Sequence, residues 1–281
     1  MILEEPVRLS RRDLRRLSLV LVPVGGLSLF ALWSSRPSAD AVHTVIALPG
    51  FWASYRFSVA IAFVATATTV AAGVLVGFLV ARRQRRLTTL WTGVLSYNLG
   101  VAHLVWAVAL LALLSPSGWI ARIVASLGLI DRPDQFPLLV NDLRGFGIIV
   151  HLVTKEVPFV VLVTLPLTGE RLRREFAQAA ALGARPRSQL LHVYVPRIAP
   201  ALVPATVVVF AFALGGYEPA AVLGVQNPRT LAVVAVEWFR DPAVSRRSEA
   251  FALSSIMIVT TLSFALVWVG ATRRWWRRAG R

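Results

Sequence analysis

Apolar residues occur in long, uninterrupted runs along this chain, without the alternation that is typical of strands. Six windows with few or no charges are each long enough, at about 20 residues, to cross a hydrocarbon core of about 30 Å. They span residues 17–35, 57–81, 90–114, 145–168, 200–224 and 250–271. Because lipid cannot satisfy open backbone groups, runs of this length must form helices. The sequence therefore predicts an all-α polytopic membrane protein with about six transmembrane helices.

These windows divide the chain into three predicted parts. Residues 1–56 contain an N-terminal tail, the first span and an outer loop, and residues 273–281 form a basic tail. Residues 57–272 form the core, with five spans and a polar loop at 169–199 between the fourth and fifth spans of the chain. An arginine pair before the first span also resembles a twin-arginine export signal, but a poor cleavage site follows it. We therefore expect the first span to be retained.

Two segments carry more specific expectations. The span 57–81 is rich in alanine, glycine and threonine, and small residues let helix backbones approach closely within a membrane. We expect this helix to lie inside the bundle. In the loop at 115–144, apolar residues recur at helical spacing from Trp119 to Leu127, which predicts a short amphipathic helix along the outer interface.

Basic residues are distributed asymmetrically about the six spans. The chain has a net charge of +16, which by itself would suit a nucleic-acid partner. Of its 30 basic residues, however, 20 lie in segments on one side of the spans and nine lie on the other side. The positive-inside rule therefore places both termini and the loop at 169–199 in the cytoplasm. The charge is explained by orientation in a lipid membrane, and no nucleic-acid partner is expected.

The loop between the fourth and fifth spans contains the stretch AQAAALGARPRSQLLHVYVP at residues 177–196. It predicts a helix from Glu170 to about Leu182, a turn at Gly183 and a second helix that begins near Pro186, since proline is tolerated in the first turn of a helix. The corner between the two helices carries mainly alanine and glycine. Such small side chains in the cytoplasm suit a close helix-in-groove contact with another protein.

This stretch resembles the cytoplasmic loop of the permease subunits of type I ATP-binding-cassette (ABC) importers, which follows the pattern Glu-Ala-Ala, three residues, Gly, nine residues, Ile-x-Leu-Pro. Aligned on Gly183, the chain keeps the spacing from glycine to proline, and Val193 and Val195 replace isoleucine and leucine. Alanine stands at position 177 where the family has glutamate, and Glu175 could replace that glutamate only through a local shift. The resemblance covers roughly residues 57–270. It implies that an ATPase contacts Ala177, Gln178, Ala179, Gly183, Ala184, Arg185, Pro186 and Pro196.

The same resemblance implies the partners and the location of the chain. It implies a helical bundle in the bacterial inner membrane that pairs with a second permease subunit, homologous or identical, and receives its cargo from an external substrate-binding protein. A dimer of ATP-binding subunits would dock on the corner and move it when ATP closes the dimer. The chain contains no GxxxxGK[ST] phosphate loop, so ATP must be bound by a separate chain. We expect a transporter subunit that is not itself an enzyme and needs no cofactor.

Polar residues within the spans are candidates for the translocation pathway, because ionisable groups in a membrane usually face the bundle interior or water. The candidates are Asn98, Lys155, Glu156, Tyr217 and Glu218. Lys155 and Glu156 are adjacent and about 100 degrees apart on a helix, so we expect one of them to reach another helix. Glu218 precedes Pro219, which is expected to break the helix and free backbone carbonyls toward a cavity.

The cargo is harder to predict from the sequence. The stretch FALGGYEPAAVLG and the residues at 228–231 that follow it are similar to the polyamine, thiamine and iron-type branch of these permeases. That similarity implies a small organic cation, with Glu218 as its charge partner and the ring of Tyr217 as a cation–π partner. Lys155 favours the alternative of an anion such as sulfate or a phosphonate, and a sugar also stays open.

Other classes of membrane protein have less support. An ion-coupled secondary transporter could use Lys155, Glu156 and Glu218, but the inverted repeats typical of that class are not evident. A membrane hydrolase would need a catalytic motif, and neither GxSxG nor HExxH occurs. His103 and His151 lack the spacing of metal ligands, so we expect packed or hydrogen-bonded histidines and no metal site.

Overall fold

The protein is described by a computed structural model that covers residues 39–82 and 85–279. Over these ranges the chain is helical and contains no strand, which confirms the all-α prediction. In chain order the α-helices are α1 Ala39–Ala47, α2 Phe51–Ala81, α3 Arg85–Gly100, α4 His103–Leu114, α5 Trp119–Ser126, α6 Phe146–Thr164, α7 Glu170–Ala181, α8 Pro186–Gln189, α9 Val195–Gly215, α10 Tyr217–Leu223, α11 Leu231–Arg240 and α12 Val244–Ala279. Turns of 3₁₀-helix lie at Pro133–Gln135 and Leu165–Leu167, and a π-helical turn, Leu190–Tyr194, joins α8 to α9.

Five helical segments of the described chain are long and apolar enough to cross a membrane. They are Phe51–Ala81, His103–Ser126, Phe146–Leu167, Pro186–Gly215 and Ser245–Arg273. They match the five core spans that the sequence predicts, although their bounds differ. The first predicted span, at residues 17–35, lies outside the described residues.

Helix α2 is the central element, as its small residues predict. It packs against α6 and α9, and its buried face includes Ala62, Ala65 and Thr69. Gly73 is needed for this contact, because a Cβ atom there would lie 2.6 Å from Cγ1 of Val160 on α6. Small residues therefore bring the two backbones together, as they do in other membrane bundles.

Two of the predicted spans are broken into two helices each. The window 90–114 contains the end of α3 and all of α4, separated at Val101 and Ala102, and the window 200–224 contains the end of α9 and all of α10. The second break lies at Gly216, where the backbone is extended, and not at Pro219 as predicted. Pro219 instead lies in the first turn of α10, where the missing N–H has no helical partner to lose.

The short helix predicted in the outer loop is confirmed as α5. Ala121 of this helix is buried, whereas Trp119, Ile120 and Ile123 are exposed. This exposed apolar face is the one that the sequence predicts to lie along the outer interface.

Three buried apolar clusters hold the helices together. A central cluster, which includes Leu152 and Phe210, joins α2, α4, α6, α9 and α10. A second cluster, which includes Phe78 and Tyr194, joins α2 and α6 to the α7–α9 segment. A third cluster joins α1 and the start of α2 to α11 and α12. The segment 170–215 is thus anchored to the same bundle that contains the polar residues of the spans.

Candidate functional sites

The corner predicted at Gly183 is present, and its hydrogen bonds explain why glycine is needed there. Gly183 has a φ of 78°, in the left-handed region that favours glycine. Its N–H donates to the carbonyl of Ala180 at 2.9 Å, and the N–H of Ala184 donates to the carbonyl of Ala179 at 2.9 Å. This pair of bonds is the Schellman motif, which satisfies the last carbonyls of α7. Pro186 then begins α8 in the first turn, as predicted.

The corner presents small and apolar groups at its surface. Exposed positions are Ala177, Gln178, Gly183, Arg185 and Pro186, and half-buried positions are Ala179, Ala184 and Pro196. Leu182, which the sequence analysis did not include among the contact residues, is 88% exposed at the tip of the corner. The signal in the sequence that could have identified it is a large apolar residue directly before the glycine of the turn. Beside the tip, a shallow groove is lined by Glu175, Gln178, Ala179, Leu182, His192, Val193, Pro196 and Arg197.

Glu175, the proposed replacement for the family glutamate, has a local partner. Its Oε1 accepts a hydrogen bond from Nε of Arg171, 3.2 Å away and one helical turn earlier. Position 177, where the family carries the glutamate, is an exposed alanine. The corner therefore offers a partner protein a mainly apolar surface at this point.

The corner is held to the bundle by aromatic packing beneath it. Phe176 of α7 and Tyr194 of the π-helical turn are buried, and the centroid of each ring lies 5.6 Å from that of Phe78 on α2. Gln189 is also buried, and its Nε2 donates to the carbonyl of Ala184 at 3.0 Å. The corner is therefore packed against α2 and the start of α9 through buried side chains.

Gly77 on α2 leaves the space that Tyr194 needs, because a Cβ atom at Gly77 would overlap the phenolic oxygen. We expect Gly77→Ala to lower the free energy of unfolding by about 1–3 kcal/mol, as overpacking does in other cores. Adding Tyr194→Phe removes the oxygen and should recover most of that loss, measured by thermal unfolding in detergent.

The control for this pair is Gly93→Ala, since no atom beyond its own helix backbone and chain neighbours lies within 4 Å of a Cβ built at Gly93. We expect its effect to add to that of Tyr194→Phe. Additive effects for Gly77→Ala and Tyr194→Phe would show that the two groups do not interfere.

Five of the polar residues discussed for the spans come together at the break between α3 and α4: Asn98, His103, His151, Lys155 and Glu156. Lys155 is 1% exposed, and its Nζ donates to the backbone carbonyls of Asn98 at 2.5 Å and of Val101 at 2.7 Å. Glu156 points to His103, with its Oε1 3.9 Å from Nε2 of the ring. Both members of the pair, rather than one as predicted, therefore reach another helix.

The two histidines belong to the same cluster and are hydrogen-bonded, as expected. Nδ1 of His103 lies 3.2 Å from Nε2 of the fully buried His151. Nδ1 of His151 and Oδ1 of Asn98 are buried without a hydrogen-bond partner in the described part of the chain. Among the described residues, no three His, Cys, Asp or Glu side chains are placed to share a metal ion. The cluster is a network of polar side chains and backbone carbonyls.

Tyr217 and Glu218 lie in the first turn of α10, which packs against α4. Glu218 is exposed. The ring of Tyr217 lies beneath the guanidinium of Arg240, with 5.8 Å between Cζ and the ring centroid. One face of the Tyr217 ring therefore already has a cationic neighbour within the chain.

Comparison with known proteins agrees with this fold. No family model matches the chain. The chain is 26% identical to the inner membrane ABC transporter permease protein YnjC of Escherichia coli K12 over 187 residues, which cover 66% of this chain and 34% of that protein. It is 23% identical over 258 residues to the "Probable sulfate transport system permease protein cysT" of Nephroselmis olivacea, covering 91% of this chain and 86% of the relative. The protein of the same name from Marchantia polymorpha is 21% identical over 228 residues, covering 81% and 75%.

Two solved structures share the fold. One is a bacterial alginate ABC transporter in complex with its periplasmic protein bound to an alginate pentasaccharide, with a TM-score of 0.70, 16% identity and coverage of 92% of this chain and 90% of the other. The second is a bacterial ABC transporter involved in import of the acidic polysaccharide alginate, with a TM-score of 0.69, 16% identity and coverage of 94% and 96%.

The relatives of the chain are thus named as ABC transporter permeases, and its fold is shared with chains of bacterial ABC transporters. With its five long apolar helices, this supports a multi-pass protein of the inner membrane. The match covers only about a third of the length of the E. coli relative. No similarity found here supports the expected polyamine, thiamine and iron-type branch; two relatives are named for sulfate instead.

Proposed function

We propose that this chain is a permease subunit of an ABC importer and that the corner at Gly183 transmits the movement of a separate ATPase to the bundle. The observation that carries the proposal is the glycine turn between α7 and α8, with Leu182 exposed at its tip and aromatic side chains anchoring it from below. This surface suits a helix-in-groove contact. The named homologues support the same function.

The proposed mechanism needs partners beyond this chain. A dimer of ATP-binding subunits holds ATP and receives the corner of each permease, and a second permease, homologous or identical, forms the other half of the pathway. An external binding protein delivers the cargo; the alginate transporter was solved with such a protein bound. Both termini and the corner lie in the cytoplasm in this proposal, as the distribution of arginines predicts.

For the cargo, we propose an anion rather than the small organic cation that the sequence resemblance favoured. Two relatives are named for sulfate transport, and one structural neighbour imports an acidic polysaccharide. Within the chain, a cation of the protein itself, Arg240, already lies over one face of the Tyr217 ring, 5.8 Å from its centroid. The carboxylate of Glu218 then repels an approaching anion. This repulsion is modest, because the carboxylate is exposed to solvent.

The test is uptake of labelled anion by proteoliposomes that contain the complete transporter, with the binding protein saturated. Glu218→Gln removes the exposed charge, so uptake of an anion is expected to stay at the parental rate or rise up to about threefold, which corresponds to less than 1 kcal/mol. Omission of the ATP-binding subunit should abolish uptake by both the parental protein and Glu218→Gln.

Asp131→Asn serves as the matched control, since it removes an exposed outer carboxylate distant in sequence from the cluster. Its uptake should equal that of the parent. A tenfold or greater fall in Glu218→Gln alone would contradict the anion assignment and restore the cation.

A further inference from the structure

The break between α3 and α4 interrupts the regular helical hydrogen bonds, and across it the N–H of Val101 donates to the carbonyl of Asn98 at 3.3 Å. α3 ends at Gly100 and α4 begins at His103. The last carbonyls of α3 therefore lack the N–H donors that a continuing helix would supply. Within a membrane, such groups cannot turn to water, and non-helical backbone is tolerated only where protein groups or a cavity satisfy it. This break therefore needs a partner from elsewhere in the chain.

Lys155 of α6 is that partner. Its ammonium donates to the carbonyls of Asn98 and Val101, one on each side of the last helical residue of α3. An ammonium is a compact charge with three donors, and the C-terminal end of a helix is the end at which a cation is stabilised. With the residue 1% exposed, the charge is committed to the break and is not presented at the surface.

The first residue of α4 is fastened to the same helix. His103 bonds to His151 at 3.2 Å, and its other ring nitrogen lies 3.9 Å from Glu156. His151 and Lys155 are four residues apart, so they lie one above the other on a single face of α6. One face of α6 thus holds both ends of the break. We call the break and its contacts with Lys155, His151 and Glu156 the α3–α4 joint.

We propose that Lys155 is a positioning residue for transport: it holds the α3–α4 joint, and through the joint it sets the place of His103 and of α10, which packs on α4 and carries Glu218. The inference rests on the proposed function, because it concerns the pathway of the importer. Lys155 stabilises the joint and does not contact the anion itself. The competing role, direct contact between Lys155 and the cargo, makes a different prediction.

The geometry of the joint can be measured without any transport. The chain contains no cysteine, so two can be introduced for spin labels at Leu90 on α3 and Val108 on α4, which are 66% and 50% exposed. In lipid, double electron–electron resonance on the parental protein should give one narrow distribution of the distance between the two spin labels. Lys155→Met should at least double the width of that distribution or shift its centre by several ångströms, because the carbonyls of Asn98 and Val101 lose the ammonium that holds them to α6. Lys155→Arg keeps the charge and the donors and should stay nearer the parent.

The matched control is Thr164→Val on the same helix. Thr164 is also 1% exposed, but its hydroxyl donates to the carbonyls of Val160 and Val161 on its own helix and interacts with Tyr194 rather than with the break, so the label distance should not change. If Lys155→Met is not recovered in folded form, Lys155→Gln, which keeps an uncharged donor, takes its place in the same measurement.

Uptake measured on the same variants separates the outcomes. We expect Lys155→Met to lose uptake tenfold or more together with the change in distance, and Lys155→Arg to recover much of both. Loss of uptake with an unchanged distance would overturn the inference and show direct contact with the cargo. If Lys155→Met alters the distance but the parental complex shows no ATP-driven uptake, the role of Lys155 in the α3–α4 joint stands and the proposed function is contradicted.

Discussion

Gly183→Val is expected to reduce ATP-driven uptake to background while the chain still inserts into the membrane. Gly183 has a φ of 78°, and a β-branched residue adopts such a φ only with strain of about 1–3 kcal/mol. No atom outside its chain neighbours lies within 4 Å of a Cβ built there, so the bundle itself has room for the side chain. The strain therefore falls on the turn that orients α7 against α8, and we expect the corner no longer to fit the groove of the ATP-binding subunit.

Two further variants show whether conformation is the cause. Gly183→Asn should keep a large part of the uptake, because asparagine tolerates the left-handed region. Gly169→Val lies at the other end of α7, where φ is −73° and the space is open, so uptake should match the parent. Uptake at the parental rate by all three variants would show that the turn is not part of coupling.

Leu182→Asp is expected to release the ATP-binding subunit from the complex. The side chain is 88% exposed, so the substitution costs the isolated chain little. In a docked complex the leucine would be buried, with about 1.5–3 kcal/mol of apolar stabilisation, and an unpaired carboxylate in its place would add a desolvation penalty. Binding should weaken by about 100-fold or more, as measured by co-purification of the ATP-binding subunit with the tagged chain.

Leu129→Asp is the control for this substitution. Leu129 is 70% exposed and lies in the loop predicted to be external. The same charge there should leave co-purification unchanged. If the two aspartate variants retain the ATP-binding subunit equally, the corner is not its contact surface.

The corner could be predicted from sequence because its causes are local. Gly183 supplies the left-handed turn and Pro186 starts the next helix, and both effects act within a few residues of the chain. The same reasoning placed α7 and α5 nearly at their observed bounds. The exposure of Leu182 was not predicted, although a large apolar residue directly before the glycine of the turn was a local sign of it.

The broken spans could not be predicted from hydropathy, which reports compatibility with lipid and not continuity of a helix. The break after Gly100 is stabilised by Lys155, and the bond from Lys155 to Asn98 joins residues 57 positions apart. No local pattern contains that information. The four-residue spacing of His151 and Lys155, which places both on one face of α6, was the available sign that they act together.

The assignment of single pathway residues shows the same limit. Tyr217 was predicted to offer a ring face to a cationic cargo, but one face of its ring lies beneath the guanidinium of Arg240 at the end of α11. Lys155 was considered as an anion partner because it is charged and lies within a span, yet its ammonium is bonded to backbone. Residue type indicates where polar groups gather, and only the packing shows which of them are already satisfied.

The central claim, that a separate ATPase docks on this corner, is tested most directly by cross-linking. Because the chain has no cysteine, Leu182→Cys introduces a single thiol that can carry a photo-activated cross-linker. The account predicts an adduct with the ATP-binding subunit in membranes that contain the whole transporter, with a yield that changes on addition of ATP, and no such adduct from Leu129→Cys. Absence of the adduct at Leu182, together with labelling of that thiol by a membrane-impermeant reagent added from outside, would contradict it.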